Sequence, residues 1–222
     1  MLVLVVDSAT PAVTAALVEI EQHTVAAVAQ RVSVDAQRHG ELLAPEVAAV
    51  LAEGGARPRN LAAVVAGLGP GPFTGLRVGL VTAAAFGDAL GIPTYGVCSL
   101  DGLGAATIGR TLVATDARRR EIYWGVYDES ARVTGPAVDR PADVARQLAA
   151  LGVSRAVGDG ALRYADGLGV PVDAEPRYPS AVALAGLAAD RVRDGAPGER
   201  LTPVYLRRPD AVEPGARKPV LP

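Results

Sequence analysis

Residues Asn60–Arg77 read NLAAVVAGLGPGPFTGLR. Asn60–Leu68 is an uncharged, Val- and Ala-rich run, the composition of a strand covered on both faces. Gly69-Pro70-Gly71-Pro72 breaks that strand. A long Ala-rich helix is then expected over Gly75–Leu90, ended by Gly91-Ile92-Pro93. A buried strand feeding a helix through a glycine loop is half of a crossover, so the flanking segments decide the fold. Upstream, Leu2–Val6, Thr14–Glu19 and Val25–Val34 are strand runs joined by short links, which predicts an antiparallel meander. A helix follows Gly40, with Leu42, Leu43, Val47, Val50 and Leu51 near one face and Gly54-Gly55 closing it. Downstream come a short strand, Thr94–Val97, and a helix over Leu100–Ile108 with Ser99 as its N-cap.

The first half therefore reads βββ-α-β-α-β-α, an α/β order whose later strands add in parallel. It is the core order of one half of the actin-like ATPase fold (sugar kinase, heat-shock chaperone, actin). The second half shows no sequence-level repeat of that order, and as a subdomain of the same type it is expected to be degenerate. Leu112–Thr115 and the aromatic-rich Ile122–Tyr127 are strands, and Glu129-Ser130 is a turn. Pro141–Leu151 is a helix with Pro at its start, Ala156–Val157 a short strand, Gly158-Asp159-Gly160 a tight turn, and Ser180 caps a helix over Ala181–Arg193. Two βββαβαβα-type subdomains are expected, 1–108 and 109–208, with a flexible tail over 209–222.

The 222 residues are enough to bury a sizeable core without a metal or disulfide staple. Twenty-two basic residues against 24 acidic ones give a net charge of −2, so a basic face, if there is one, lies in the distribution of charge and not in its total. Cys98 is the sole cysteine, which excludes an internal disulfide, and its apolar neighbours mark it as inert core. The start, MLVLVVDSAT, has the pattern of a strand and not of a signal peptide, and no run approaches 18 apolar residues. A soluble cytoplasmic protein is expected.

Several motifs admit more than one chemistry. The Gly69–Gly75 loop is a structural turn, a partner-contact surface, or an anion cradle with Gly69, Gly71 and Gly75 close to phosphate; Thr74 is placed to cap the helix that follows. It is not a Walker A loop. Asp7, at the end of the first strand, is either a turn-forming residue or an acidic group near metal-bound phosphates. His39 has Leu43, not a second His, four residues on, so a helical metal pair is broken and a cap or surface contact is expected. Arg118, Arg119 and Arg120 precede Tyr123, Trp124 and Tyr127, which is either a solvated hairpin edge or a basic and aromatic RNA surface. No Ser/His/Asp set and no paired carboxylates stand out.

Taken together, Asp7-Ser8, His39-Gly40-Glu41-Leu42-Leu43-Ala44-Pro45, Gly69–Arg77, Asp116-Ala117-Arg118, Gly158-Asp159-Gly160 and Pro203–Arg207 resemble the TsaB (YeaZ) family over residues 1–208. Most members carry Ser where Pro72 stands. The resemblance implies a non-catalytic scaffold in the bacterial complex that makes threonylcarbamoyladenosine beside the anticodon of tRNAs reading ANN codons. It implies a catalytic paralogue, TsaD, holding metal through an HxxxH pair, and an ATPase, TsaE. It also implies tRNA contact through the complex, docking through first-subdomain helices, and no cofactor of this chain's own. The interface residues expected are Glu41, Leu42, Leu43, Pro45, Phe73, Thr74, Leu76, Arg77 and Leu80, on a face that also allows a homodimer. Alternatives are a small ATP-binding phosphotransferase using Asp7 and the Gly69–Gly75 loop, a glycoprotease-like hydrolase, and direct RNA binding.

Overall fold

Strand β1 (Leu2–Asp7) is the centre from which the first sheet is built. In the computed structural model, which describes residues 1–207, it pairs antiparallel with β2 (Ala12–Ile20) and parallel with β4 (Leu61–Gly67). β3 (Val25–Val34) and β5 (Thr94–Val97) complete the order β3-β2-β1-β4-β5. The tail expected over 209–222 lies outside the described residues. The uninterrupted apolar run of β1 has a direct cause. Leu4 and Val6 face a layer made by helix α1 (His39–Glu53) and helix α2 (Phe73–Leu90), while Val3 and Val5 face helix α7 (Ala181–Arg193). Alternate side chains point to opposite faces, and both are covered.

The second sheet has the order β8-β7-β6-β9. Its strands are β6 (Thr111–Asp116), β7 (Ile122–Asp128), β8 (Ala131–Asp139) and β9 (Arg155–Val157), the last parallel to β6. Helices α4 (Pro141–Leu148), α5 (Asp159–Arg163) and α6 (Ala165–Leu168) flank Leu112, Trp124 and Val126 on one face. On the other face, Leu100 and Leu103 of α3 (Ser99–Gly104) pack on Val113, Tyr123 and Tyr127.

The boundary expected after residue 108 separates the sheets, but the helices cross it. α3 follows the first sheet and covers the second, whereas α7 follows the second sheet and covers the first. The two meet where the Cβ of any residue replacing Gly102 would lie 2.7 Å from a Leu184 methyl.

Local expectations differ from the structure in several places, among them the helix expected over Pro141–Leu151, which ends at Leu148. β8 reaches from Ala131 to Asp139 although its sequence, with Gly135-Pro136, shows no strand pattern; bulges against β7 absorb the irregularity. Gly158-Asp159-Gly160 is not a free turn, because Gly158 joins β9 to α5 and Asp159 is already helical. α2 begins at Phe73 with Pro72 as its N-cap residue, so Thr74 lies inside the helix and caps nothing. Ser99 is the first residue of α3, not its cap, and that helix ends at Gly104. α2 is also long and apolar enough to cross a bilayer by length and composition, although its sequence is interrupted by Thr and Arg. Its buried stripe, Gly75, Leu76, Gly79, Leu80, Ala83 and Gly87, lies against the sheet. Ser180 caps α7 as expected, accepting from the Ala183 amide at 3.4 Å.

Candidate functional site

The turn after β1 fixes the chemistry available to the first lobe. The Asp7 carboxylate is buried and already occupied: the Ser99 hydroxyl donates to it at 2.5 Å and the Ala9 amide at 3.0 Å. Burial holds this carboxyl above the usual carboxylate range, against the opposing pull of those two donors and of His39. Ser99 in turn accepts from the Gly69 amide at 3.1 Å. Asp7 therefore serves as a knot between β1, the glycine loop and α3, and it does not reach the open cleft.

The glycines have a packing role. A Cβ at Gly71 would lie 2.2 Å from the Ala9 carbonyl oxygen, so this loop rests directly on backbone. Gly69 has φ +85°, a conformation that suits glycine. Gly75 and Gly79 let α2 close onto Ser8, whose hydroxyl donates to the Gly75 carbonyl at 2.7 Å and accepts from the Gly79 amide at 2.9 Å. Gly71 thus has its Cα side against the backbone of Ala9, and Gly75 lines a cleft between the lobes.

His39 is neither a cap nor a surface contact. It is buried in the first turn of α1, and its Nε2 donates to the Thr10 carbonyl at 2.8 Å. Four residues on, Leu43 is 1 % exposed in the core. One imidazole tied to backbone and one buried alkyl group do not fit the HxxxH metal pair implied for the transferase paralogue.

The expected interface residues divide by burial. Leu43, Leu76 and Leu80 face the sheet, as do Gly79, Ala83 and Gly87, so none of these forms an outer contact stripe. Glu41, Pro45, Thr74 and Arg77 are exposed; Leu42 and Phe73 are half-buried. The outward face of α2 is instead Arg77, Val81, Ala84, Ala85 and Asp88, with Val81 66 % exposed. An open groove of about 870 Å³ runs beside it, walled by α2 and the strap 198–205. At one end Tyr205 stacks on Phe73 with ring centroids 4.2 Å apart, and Arg77 lies over Phe73 while donating to the Tyr205 hydroxyl at 2.9 Å. The Gly69–Arg77 motif and the Pro203–Arg207 motif thus meet in space.

The second lobe presents a different surface. Tyr123 and Trp124 are buried, and the Trp124 indole donates to Asp139, so these rings cannot stack on a ligand. Arg118, Arg119 and Arg120 are exposed at the β6–β7 junction. Between the lobes a cleft of about 310 Å³ is lined by Ser8, Thr10, His39 and Phe73 on one side and Asp116, Arg118 and Arg163 on the other. Arg163 pairs with Asp116 at 3.2 Å. Asp159, nearby, is buried with one oxygen unpartnered, and burial pushes its carboxyl up to about 6, with the charge of Asp116 adding to the shift. Sequence reading takes Ser99 for a cap and Asp159 and Tyr205 only as members of short motifs, and it passes over Arg163, because their surroundings come from segments distant in the chain. Among the described residues no three His, Cys, Asp or Glu side chains gather as a metal site.

Known proteins resemble this chain over most of its length. The family model described as TsaD, tRNA N6-adenosine threonylcarbamoyltransferase, matches residues 27–190. An uncharacterized protein of Mycobacterium tuberculosis is 50 % identical over 94 % of this chain and 93 % of its own. The tRNA threonylcarbamoyladenosine biosynthesis protein TsaB of Escherichia coli is 31 % identical over 77 % of this chain and 81 % of its own. Among solved structures, YeaZ from Pseudomonas aeruginosa superposes with a TM-score of 0.75 at 29 % identity, covering 92 % of this chain and 99 % of that one. The two linked sheets are the actin-like ATPase arrangement that the strand order predicts. From fold, motifs and relatives alike, the chain belongs to the TsaB (YeaZ) family.

Proposed function

We propose that this chain is a non-catalytic subunit in threonylcarbamoyladenosine biosynthesis, docking through the outer face of α1 and α2 onto a like-folded TsaD-type transferase. The observation that carries the reading is the outward face of α2. Val81 stands 66 % exposed, with Ala84 and Ala85 beside it and an open groove along its flank. Small apolar side chains allow two helices to approach closely, and a partner of the same fold presents related helices. The buried Asp7, its carboxylate already bonded to the Ser99 hydroxyl and the Ala9 amide, supports the non-catalytic part, since it is turned away from the cleft a phosphotransferase would use. His39 and Leu43 argue against a metal-dependent hydrolase in the same way. TsaE joins the assembly in this reading, and the same face pairs two copies of the chain when the transferase is absent.

Val81→Asp with Ala84→Asp tests it. Both positions are exposed, so the thermal midpoint should move little. Placing two carboxylates in an apolar contact should weaken binding to the TsaD-type paralogue at least about tenfold, read by titration calorimetry. A folded double variant that binds as tightly as the parent rules out this face. Leu76→Asp and Leu80→Asp are unsuitable probes, because they strike the core.

A further inference from the structure

The charge of this chain is unevenly shared. Residues 1–108 hold five basic and nine acidic side chains, whereas 109–207 hold fourteen and thirteen. Around Arg163 the surface is grooved: three clefts of about 310, 520 and 580 Å³, the first two between the lobes and the third on the second lobe, all have that side chain in their lining. Arg118 lines the first, Arg177 the second, and Arg120 and Arg140 the third. All are exposed. Arg163 pairs with Asp116; the other four have no ion-pair partner among the described residues. The acidic lining is weaker. Asp116 and Asp159 are each only 8 % exposed on the floor, and Asp166 alone stands at the rim.

Two half-buried rings complete the groove. Tyr164 and Tyr178 line its third and second clefts, with Arg163 5.8 Å and Arg177 5.3 Å from the respective ring centroids. The loop that carries Arg118 and Arg120 is strained. Residues 118, 119 and 120 have φ of 61°, 56° and 60°, a left-handed conformation that costs L-residues about 1–2 kcal/mol each. Neighbours hold it there: Asp116 accepts from the Arg118 amide at 3.2 Å, and Arg207 donates to the Ala117 carbonyl at 2.6 Å. Maintained strain of this kind marks functional loops.

We propose that this groove binds an unpaired RNA segment, with Arg118, Arg120, Arg140, Arg163 and Arg177 on its phosphates and Tyr164 and Tyr178 against its bases. Guanidinium groups interleaved with aromatic faces suit single strands, whose bases are free to stack. The choice of RNA over other polyanions rests on the function proposed above; the first cleft reaches the N-terminal turns of α1 and α2, but every residue substituted in the test below belongs to the second lobe, whereas Val81 and Ala84 belong to α2, so the two readings fail separately.

The test is fluorescence anisotropy of a labelled anticodon stem-loop RNA with the full chain, titrated across salt, beside a duplex RNA of equal length. The parent should bind the stem-loop more tightly than the duplex. Arg118→Ala with Arg140→Ala and Arg177→Ala should bind at least about tenfold more weakly, with a salt slope shallower by about 2, at roughly 0.7 for each phosphate no longer neutralised. Tyr178→Leu should lower stem-loop affinity and leave the salt slope unchanged. An unchanged thermal midpoint and unchanged affinity for the TsaD-type paralogue show that the variants act here and not at the α1–α2 face. No parental binding at low salt, or equal binding by the triple variant, overturns the proposal. So does a triple variant that loses a protein partner while keeping its RNA affinity.

Discussion

Asp159 shows how much one side chain depends on context that the sequence hides. Its neighbours in the chain, Gly158 and Gly160, mark a turn and say nothing about burial. The fold places it at the start of α5 with one oxygen unpartnered and the charge of Asp116 nearby. Its carboxyl rises from 3.8 to about 6, chiefly by burial. The folded state therefore binds a proton that the unfolded chain has released between those values. Stability from this group is complete below about pH 4 and is lost as pH rises toward 6, at most on the order of 3 kcal/mol. Asp159→Asn removes the titration. Thermal midpoints measured from pH 4 to 7 should fall less steeply in the variant, leaving it the more stable protein at neutral pH. Parallel curves for the two proteins would disprove the assignment.

At the level of elements, the strap 198–205 links what sequence reading treats as separate motifs. Phe73 and Arg77 open α2, and Tyr205 comes from the far end of the described chain. The stack and its cation contact contribute about 1 kcal/mol beyond area burial. Tyr205→Ala should lower global stability by only that order but free the strap locally. Trypsin should then cut after Arg200 or Arg207 several-fold faster, read by mass spectrometry. Unchanged cleavage would mean that the backbone bonds of Glu199 to Thr94 and Val204 to Leu68 hold the strap alone. Elements with strong local signals are legible in the sequence: β1, β3, β4, β5, α1, most of α2, and α7 with its Ser180 cap. β8 is not, because Gly135-Pro136 interrupts its alternation and bulges against β7 restore the pairing. The site is less legible than the fold. The Gly69–Arg77 loop looks like an anion cradle because glycine signals close approach without naming what approaches, and here it is the backbone of Ala9. Arg140, Arg163 and Arg177 belong to no motif, since three separate segments bring them to one groove.

For the whole molecule, the exchange of helices matters more than the break between sheets. Val3, Val5, Val18, Ile20, Val65 and Tyr95 form one face of the first sheet, and α7 from the far end of the chain covers them. α3 leaves the first lobe to cover Val113, Tyr123 and Tyr127 of the second. Neither sheet has both faces covered by its own half of the sequence. Residues 1–108 alone would expose six large apolar side chains, at roughly 1.5–3 kcal/mol each on transfer to water. That is comparable with the whole stability of a domain this size. A fragment of residues 1–108 should therefore be molten or aggregated, with collapsed amide dispersion in its proton–nitrogen NMR spectrum. Supplying residues 176–207 as a second chain should restore dispersion, because that segment carries α7 and the strap. The full chain should unfold in one transition by both far-ultraviolet and tryptophan signals, since Trp124 in the second sheet reports a lobe that shares its helices with the first. A well-dispersed spectrum from 1–108 alone, or two separate transitions in the full chain, would show that the lobes are independent and that α7 only decorates a sheet already stable without it.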